Sequence, residues 1–161
     1  MKLTGVFPVL LVGLLAGWSA TGAQPADSAN FKALMVAEAR AIDTLHMANA
    51  APFHAKDAED VFFDIAPLKY KGWSEFEEGA QKLLSQWQSM KCELGDDVQT
   101  HQQESLAWGA ATWHCDIVDK AGAKQGMDGR WTVIWEKRGK DWLVVHEHFS
   151  VPLPTPAEGA K

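Results

Sequence analysis

From residue 106 to residue 151 the chain alternates apolar and polar side chains almost without interruption, which commits its second half to strands that must pair with one another. The clearest part is "RWTVIWEKRGKDWLVVHEHFSVP", residues 130–152, two alternating runs joined by Arg138-Gly139-Lys140-Asp141. Strands are expected near 92–103, 106–118, 128–138 and 142–151, with turns at Glu104-Ser105, Lys120 to Gly126 and Gly139-Lys140. A turn over 138–141 pairs Lys137 with Trp142, Trp135 with Val144, Val133 with His146 and Trp131 with His148. On that register one face carries Trp131, Val133, Trp135, His146, His148 and Ser150, and the other carries Arg130, Glu147 and Phe149. An ion pair of Arg130 with Glu147 is expected there, of little energetic weight.

The first half reads as helical. Leu34, Met35, Ile42 and Leu45 keep a helical period from Phe31 until Pro52 interrupts, and a second short helix within 48–56 is an open alternative. "EDVFFDI", residues 59–65, is a short strand closed by Pro67. In "SEFE" Ser74 and Glu77 have the spacing of a capping box, and a helix over 75–90 follows, with Phe76, Ala80, Leu83, Leu84, Trp87 and Met90 on one face. Helices followed by four successive strands imply an α+β domain, with a cone-like cavity wherever the helices splay from the sheet.

The ends and the charge bound the function. Lys2, the apolar run Val6 to Trp18 and the small residues Thr21-Gly22-Ala23 read as a signal peptide over 1–23, its apolar run being shorter than the roughly 20 residues that a membrane span needs. Residues 24–30 form a polar lead-in, 31–152 the domain and 153–161 a tail. The expected location is periplasmic or secreted, with no membrane association after cleavage. The net charge of −6, more negative still once Lys2 is removed, gives no basic patch for nucleic acid. Cys92 and Cys115 are the only cysteines, and an oxidising compartment together with a hairpin turning near Glu104 and Ser105 favours a bridge between them.

His146 and His148 pose the question of chemistry. Sharing a face with tryptophans, they would be desolvated and neutral, suited to a ligand carbonyl or hydroxyl. A metal would need a third ligand, from His114 or Asp64, that the spacing does not supply, so no metal is expected. Satisfied histidines in a merely supporting sheet are the other alternative. His46, His54 and His101 read as solvated or capping. Asp64, at the end of an apolar strand, is a general base if desolvated and an ordinary turn residue if exposed. No nucleophile elbow, phosphate-binding glycine loop, zinc-binding helix or dinucleotide fingerprint is present, and no cofactor is expected.

"DVFFDIAPLKYKGWSEF" and "GRWTVIWEKRGKDWLVVHEHFSVP" resemble the SnoaL-like branch of the nuclear-transport-factor-2-like superfamily, which includes the ketosteroid isomerases. The resemblance covers roughly residues 30–152 and is carried most specifically by Arg130, Thr132, Trp142, His148, Ser150 and Pro152. It implies an α+β cone of helices on a curved, mostly antiparallel sheet, often a homodimer through that sheet, with the binding site inside the cone. It also implies catalytic roles for Asp64, His148 and His146 and ligand contacts for Trp131, Val133, Trp135 and Ser150. The isomerases' oxyanion donors have no counterpart, since the early helix lacks tyrosine and Val133 stands at the acid's position, so ketosteroid isomerase activity itself is not expected. The expected ligand is a small, largely apolar molecule with a polar group, undergoing isomerisation, elimination or cyclisation. A non-catalytic dimerising or ligand-carrying domain is the alternative.

Overall fold

The computed structural model describes residues 29–153. The signal peptide expected over 1–23, most of the lead-in expected over 24–30 and nearly all of the tail expected over 153–161 lie outside the described residues. Helix α1 spans Phe31–Asp43, with the Asn30 side chain accepting from the Ala33 N–H at 3.0 Å as its cap. The expected continuation to Pro52 does not occur. Leu45 takes the left-handed conformation (φ 62°), and two single 3₁₀ turns follow, Met47–Asn49 and Ala51–Phe53. Strand β1 is Val61–Phe63 and β2 is Tyr70–Lys71; helix α2 is Gly72–Leu84.

Helix α2 starts earlier than the capping box predicts. Glu75 reaches back to the Lys71 N–H at 2.9 Å, and Glu77 instead accepts from the Trp73 indole at 2.8 Å. Gly72 makes the sharp entry possible: it has φ +72°, and a Cβ there would press on Ala58 and Asp57 backbone atoms at 3.3 Å. The helix also ends sooner. Trp87 and Met90 belong to β3, Trp87–Leu94, where a register shift between Trp87 and Ser89 leaves residues three apart both lining the cavity described below. An i, i+3 spacing therefore imitated a helical face.

Strands β4 (Gln99–Gln103), β5 (Leu106–Asp119), β6 (Lys124–Arg138) and β7 (Asp141–Ser150) complete a curved, unclosed seven-stranded sheet in the order β2-β1-β7-β6-β5-β3, with β4 also on β5. All pairings within it are antiparallel except β1 with β7. The strand expected over 92–103 is thus two, and Asp97 fills the gap by accepting from the Thr112 N–H and hydroxyl at 3.0 and 2.9 Å. Arg40 and Asp43 tie α1 to β3, donating to the Cys92 carbonyl at 2.8 Å and accepting from its N–H at 2.9 Å. Among the described residues no helix is long and apolar enough to cross a membrane.

The last hairpin departs from the expected register at one point. Trp135 faces Val144, but Ile134 faces His146, so Val145 is an extra residue and β7 carries a bulge. Beyond it every side chain exchanges faces, because strand alternation has a period of two. Glu147 and Phe149 turn toward the helices with Trp131, while His146, His148 and Ser150 turn outward, opposite Ile134, Thr132 and Arg130.

Cys92 and Cys115 are directly paired across β3 and β5 and form a disulfide, as expected. They close a loop with a sequence separation of 23. Reduction, or Cys92→Ser with Cys115→Ser, should lower unfolding stability by about 3 kcal/mol. Urea titrations with and without reductant will read this.

Candidate functional site

The concave face of the sheet, α1 and α2 enclose an apolar cavity of about 100 Å³. Ala39 and Ile42 of α1, Phe76 and Leu83 of α2, both half-cystines and Trp87, Trp113, Trp131 and Phe149 contribute to its wall. Gly129 on β6 is needed for that wall, because a Cβ there would fall 2.1 Å from the Trp113 ring. Exposed Ile65 joins the lining at the end of β1.

Asp64 is the only charged residue of the lining. Parallel pairing of Phe63 with His148 brings the end of β1 beside β7 and delivers Asp64 to the cavity. Burial pushes its carboxyl up to about 6; the charge of Glu147 adds to this, and a 2.7 Å hydrogen bond from the Ile65 N–H opposes it. The Trp113 indole N–H is buried and has no hydrogen-bond partner. The sequence signalled Asp64; nothing in it singled out Trp113.

Behind the Trp131 ring lies a second, fully buried group: Glu38 of α1, His54 after the 3₁₀ turns and Glu147 of β7. His54 donates from Nδ1 to the Ala50 carbonyl at 3.0 Å, which turns Nε2 toward Glu147 Oε1 at 2.6 Å and Glu38 Oε1 at 3.2 Å. The Trp131 indole donates to Glu147 Oε2 at 2.9 Å. Burial and the neighbouring Glu147 hold the Glu38 carboxyl well above the usual range. The expected Arg130–Glu147 surface pair is therefore corrected: Arg130 is exposed and Glu147 fully buried, because the bulge separates their faces. His54 is likewise neither solvated nor a cap. Glu38 left a trace in the sequence, lying with Phe31 and Met35 on the buried stripe of α1. Glu147 left none.

The histidines that the alternation placed inside are outside. His146 donates from Nδ1 to the Val61 carbonyl at 2.6 Å, His148 is exposed, and both rings meet Phe63 edge-on at 5.4 and 5.7 Å. Neither lines the cavity, nor does Ser150. Of the expected ligand contacts Trp131 does line it; Val133 and Trp135 are packed in the core, Trp135 against Phe31 at 5.1 Å.

The SnoaL-like domain family matches residues 32–154. No curated protein matches the chain. Among solved structures, a nuclear transport factor 2-like superfamily protein from Salmonella enterica serovar Typhimurium is 21% identical with a TM-score of 0.69, covering 79% of this chain and 92% of that one. A proposed calcium/calmodulin-dependent protein kinase II association domain from Xanthomonas campestris is 21% identical, TM-score 0.69, covering 83% and 94%. A proposed dehydratase of the same superfamily from Streptomyces avermitilis is 14% identical, TM-score 0.68, covering 77% and 95%.

Two outcomes follow for stability. His54→Ala leaves two carboxylates buried without the imidazole and should cost about 3–5 kcal/mol in urea unfolding, whereas His148→Ala on the outer face should stay within about 0.5 kcal/mol of wild type. Asp64 has a folded pKa of about 6 against an ordinary carboxyl value of 3.8, so between those values the folded state holds more protons than the unfolded one. Its contribution to stability therefore falls as pH rises through that window. Thermal melts should show Asp64→Asn gaining on wild type from pH 4 to pH 7.

Proposed function

Because the chain belongs to the SnoaL-like domain family, we propose that its cavity binds a small, largely apolar molecule with a carbonyl or comparable polar group, and that Asp64 acts on it as a general base. The carrying observation is the single carboxyl in an otherwise apolar wall, raised to about 6 by its burial. Such a group is mostly ionised at neutral pH yet basic enough to remove a proton next to a carbonyl and return it elsewhere, or to start an elimination. The unpartnered Trp113 N–H supplies a donor for the developing oxyanion, in a site whose apolar wall strengthens that bond. At about 100 Å³ the cavity is smaller than the roughly 150 Å³ that accommodates benzene, so a short chain of a few heavy atoms is the fitting scale, and a ring would require the wall to open. Isomerase, lyase or cyclase chemistry is consistent with this, and the name of the Streptomyces neighbour supports the lyase form. Ketosteroid isomerisation itself is not part of the proposal, since α1 has no tyrosine and Val133 is buried in the core.

An exported, periplasmic or secreted setting belongs to the same proposal, supported by the leader-like first residues and the Cys92–Cys115 bridge. A second reading, a dimerising or ligand-carrying domain without catalysis, is favoured by Leu106 and Trp108, 53% and 42% exposed on the outer face of the sheet.

Native mass spectrometry of protein purified from an oxidising compartment, followed by turnover assays on the class of molecule found, separates the two. The expected result is an organic mass bound by wild type and by Asp64→Asn, and absent from Ala39→Phe, which fills the cavity. Turnover by Asp64→Asn should fall by at least about 100-fold, with the wild-type rate rising through an apparent pKa near 6. A ligand-free dimer, or turnover indifferent to Asp64, would favour the second reading.

A further inference from the structure

We propose that Glu38, His54 and Glu147 form a closed binding site for one divalent transition-metal ion, at the junction of α1, the 3₁₀ segment and β7. Their ligand atoms, one imidazole nitrogen and a carboxylate oxygen from each glutamate, all lie within 4.8 Å of one another, and all three residues are buried. Both oxygens of Glu38 are buried without a well-formed hydrogen bond, and the side chain is aimed into the group, with His54 Nε2 at 3.2 Å and the Glu147 carboxyl beside it. So few partners are unusual for a buried carboxyl, and a bound cation would satisfy both oxygens.

The surroundings prepare the other two ligands. The Nδ1–H bond to the Ala50 carbonyl fixes the His54 tautomer and leaves the Nε2 lone pair pointing at the glutamates. The Trp131 N–H holds Glu147 Oε2 and leaves Oε1 facing Nε2. For bonds of about 2.0–2.1 Å a four-coordinate site has ligand–ligand edges of about 3.3 Å, and the second Glu38 oxygen, also without a partner, supplies the fourth donor beside those of His54, Glu147 and the first Glu38 oxygen. The His54–Glu38 edge, 3.2 Å, already has that length, and the 2.6 Å His54–Glu147 edge needs to open by less than about 1 Å at the tips of two side chains. Two carboxylates and a neutral imidazole balance the charge of a dication, and this nitrogen–oxygen set suits zinc or manganese better than calcium. The site is sealed from solvent. Its nearest approach is the cavity, since Trp131 and Ala39 line that space while their neighbours Glu147 and Glu38 belong to the cluster, so loading during folding is expected.

The test is to refold the full mature chain with Zn²⁺ or with Mn²⁺, remove free metal by dialysis, and measure metal content and Tm. The expected result is close to one ion per chain and a Tm raised by more than about 5 °C. Glu38→Gln should lose both effects, and His148→Ala should lose neither. Trp131→Phe keeps all three ligands but frees Glu147, and should weaken affinity about 10- to 100-fold while retaining one site, which covers the case in which Glu38→Gln does not fold. Wild type holding less than about a tenth of an ion with an unchanged Tm, or metal retention indifferent to Glu38→Gln and Trp131→Phe, would overturn the proposal. The cluster would then be a structural network held by protons alone.

Discussion

The burial of Glu147 is the constraint on which the rest of the structure turns. A carboxylate taken fully out of water costs several kcal/mol unless charge and hydrogen bonds meet it. Here they come from elements remote in sequence: the His54 ring from the 3₁₀ segment and the Trp131 N–H from the neighbouring strand. His54 is in turn held by the Ala50 carbonyl and packed against Trp73, ring centroids 4.3 Å apart, and the next residue, Ala55, donates its N–H to the Val144 carbonyl at 2.9 Å. The irregular stretch between α1 and β1 is thereby fastened to β7 at its polar centre and along its backbone. Without that fastening, α1 would be held to the sheet chiefly by apolar contact and by the Arg40 and Asp43 bonds to β3.

The same group shapes the cavity that lies in front of it. Trp131 is both wall and tether: its ring faces the cavity while its N–H is committed to Glu147. An indole fixed at both ends has little freedom to close the space, so the cavity is kept open by a bond made behind it. Glu147 also acts on Asp64 through its charge, adding to the effect of burial. The Asp64 carboxyl, with a pKa near 6 owed first to its own burial, thus also feels a second carboxyl that does not line the cavity, so a change at Glu147 should move the wall and, to a smaller extent, the base.

What the sequence made legible followed the strength of its periodic signals. The alternation after residue 106 gave β5, β6 and β7 and, with the helical first half, the α+β class, although β6 begins at Lys124 and so takes residues 124–126 from the turn expected over Lys120 to Gly126; the resemblance is matched by the family found over 32–154. Cys92 and Cys115 were legible because a hairpin turning near Glu104 and Ser105 brings two strands side by side with these residues as opposite or diagonal neighbours. Asp64 was legible because a carboxylate closing an apolar strand is conspicuous. Two of the errors share one cause. A bulge adds one residue without disturbing the pattern on either side of it, so Val145 was counted as an ordinary strand position and His146, His148 and Ser150 were assigned to the wrong face. The shift after Trp87 made a strand look helical for the same reason. His54 lay in a stretch with no period at all, and its partners come from 16 residues earlier and 93 later, a separation that local spacing cannot report.

A cavity wall usually keeps polar groups satisfied, and this one departs from that in one place on each side. The Trp113 N–H has no partner, and the Asp64 carboxyl has only the Ile65 N–H within its own loop. A buried donor left unpaired, as the Trp113 N–H is, costs about 1–3 kcal/mol relative to one that is bonded. A core selected for stability alone would exchange them for apolar side chains of similar volume, as the neighbouring Met90, Met127 and Phe149 already are. On the proposed function the two groups have a use in a wall otherwise closed by aromatic rings and a disulfide: a ligand would bring an acceptor to the indole and a proton within reach of the carboxylate.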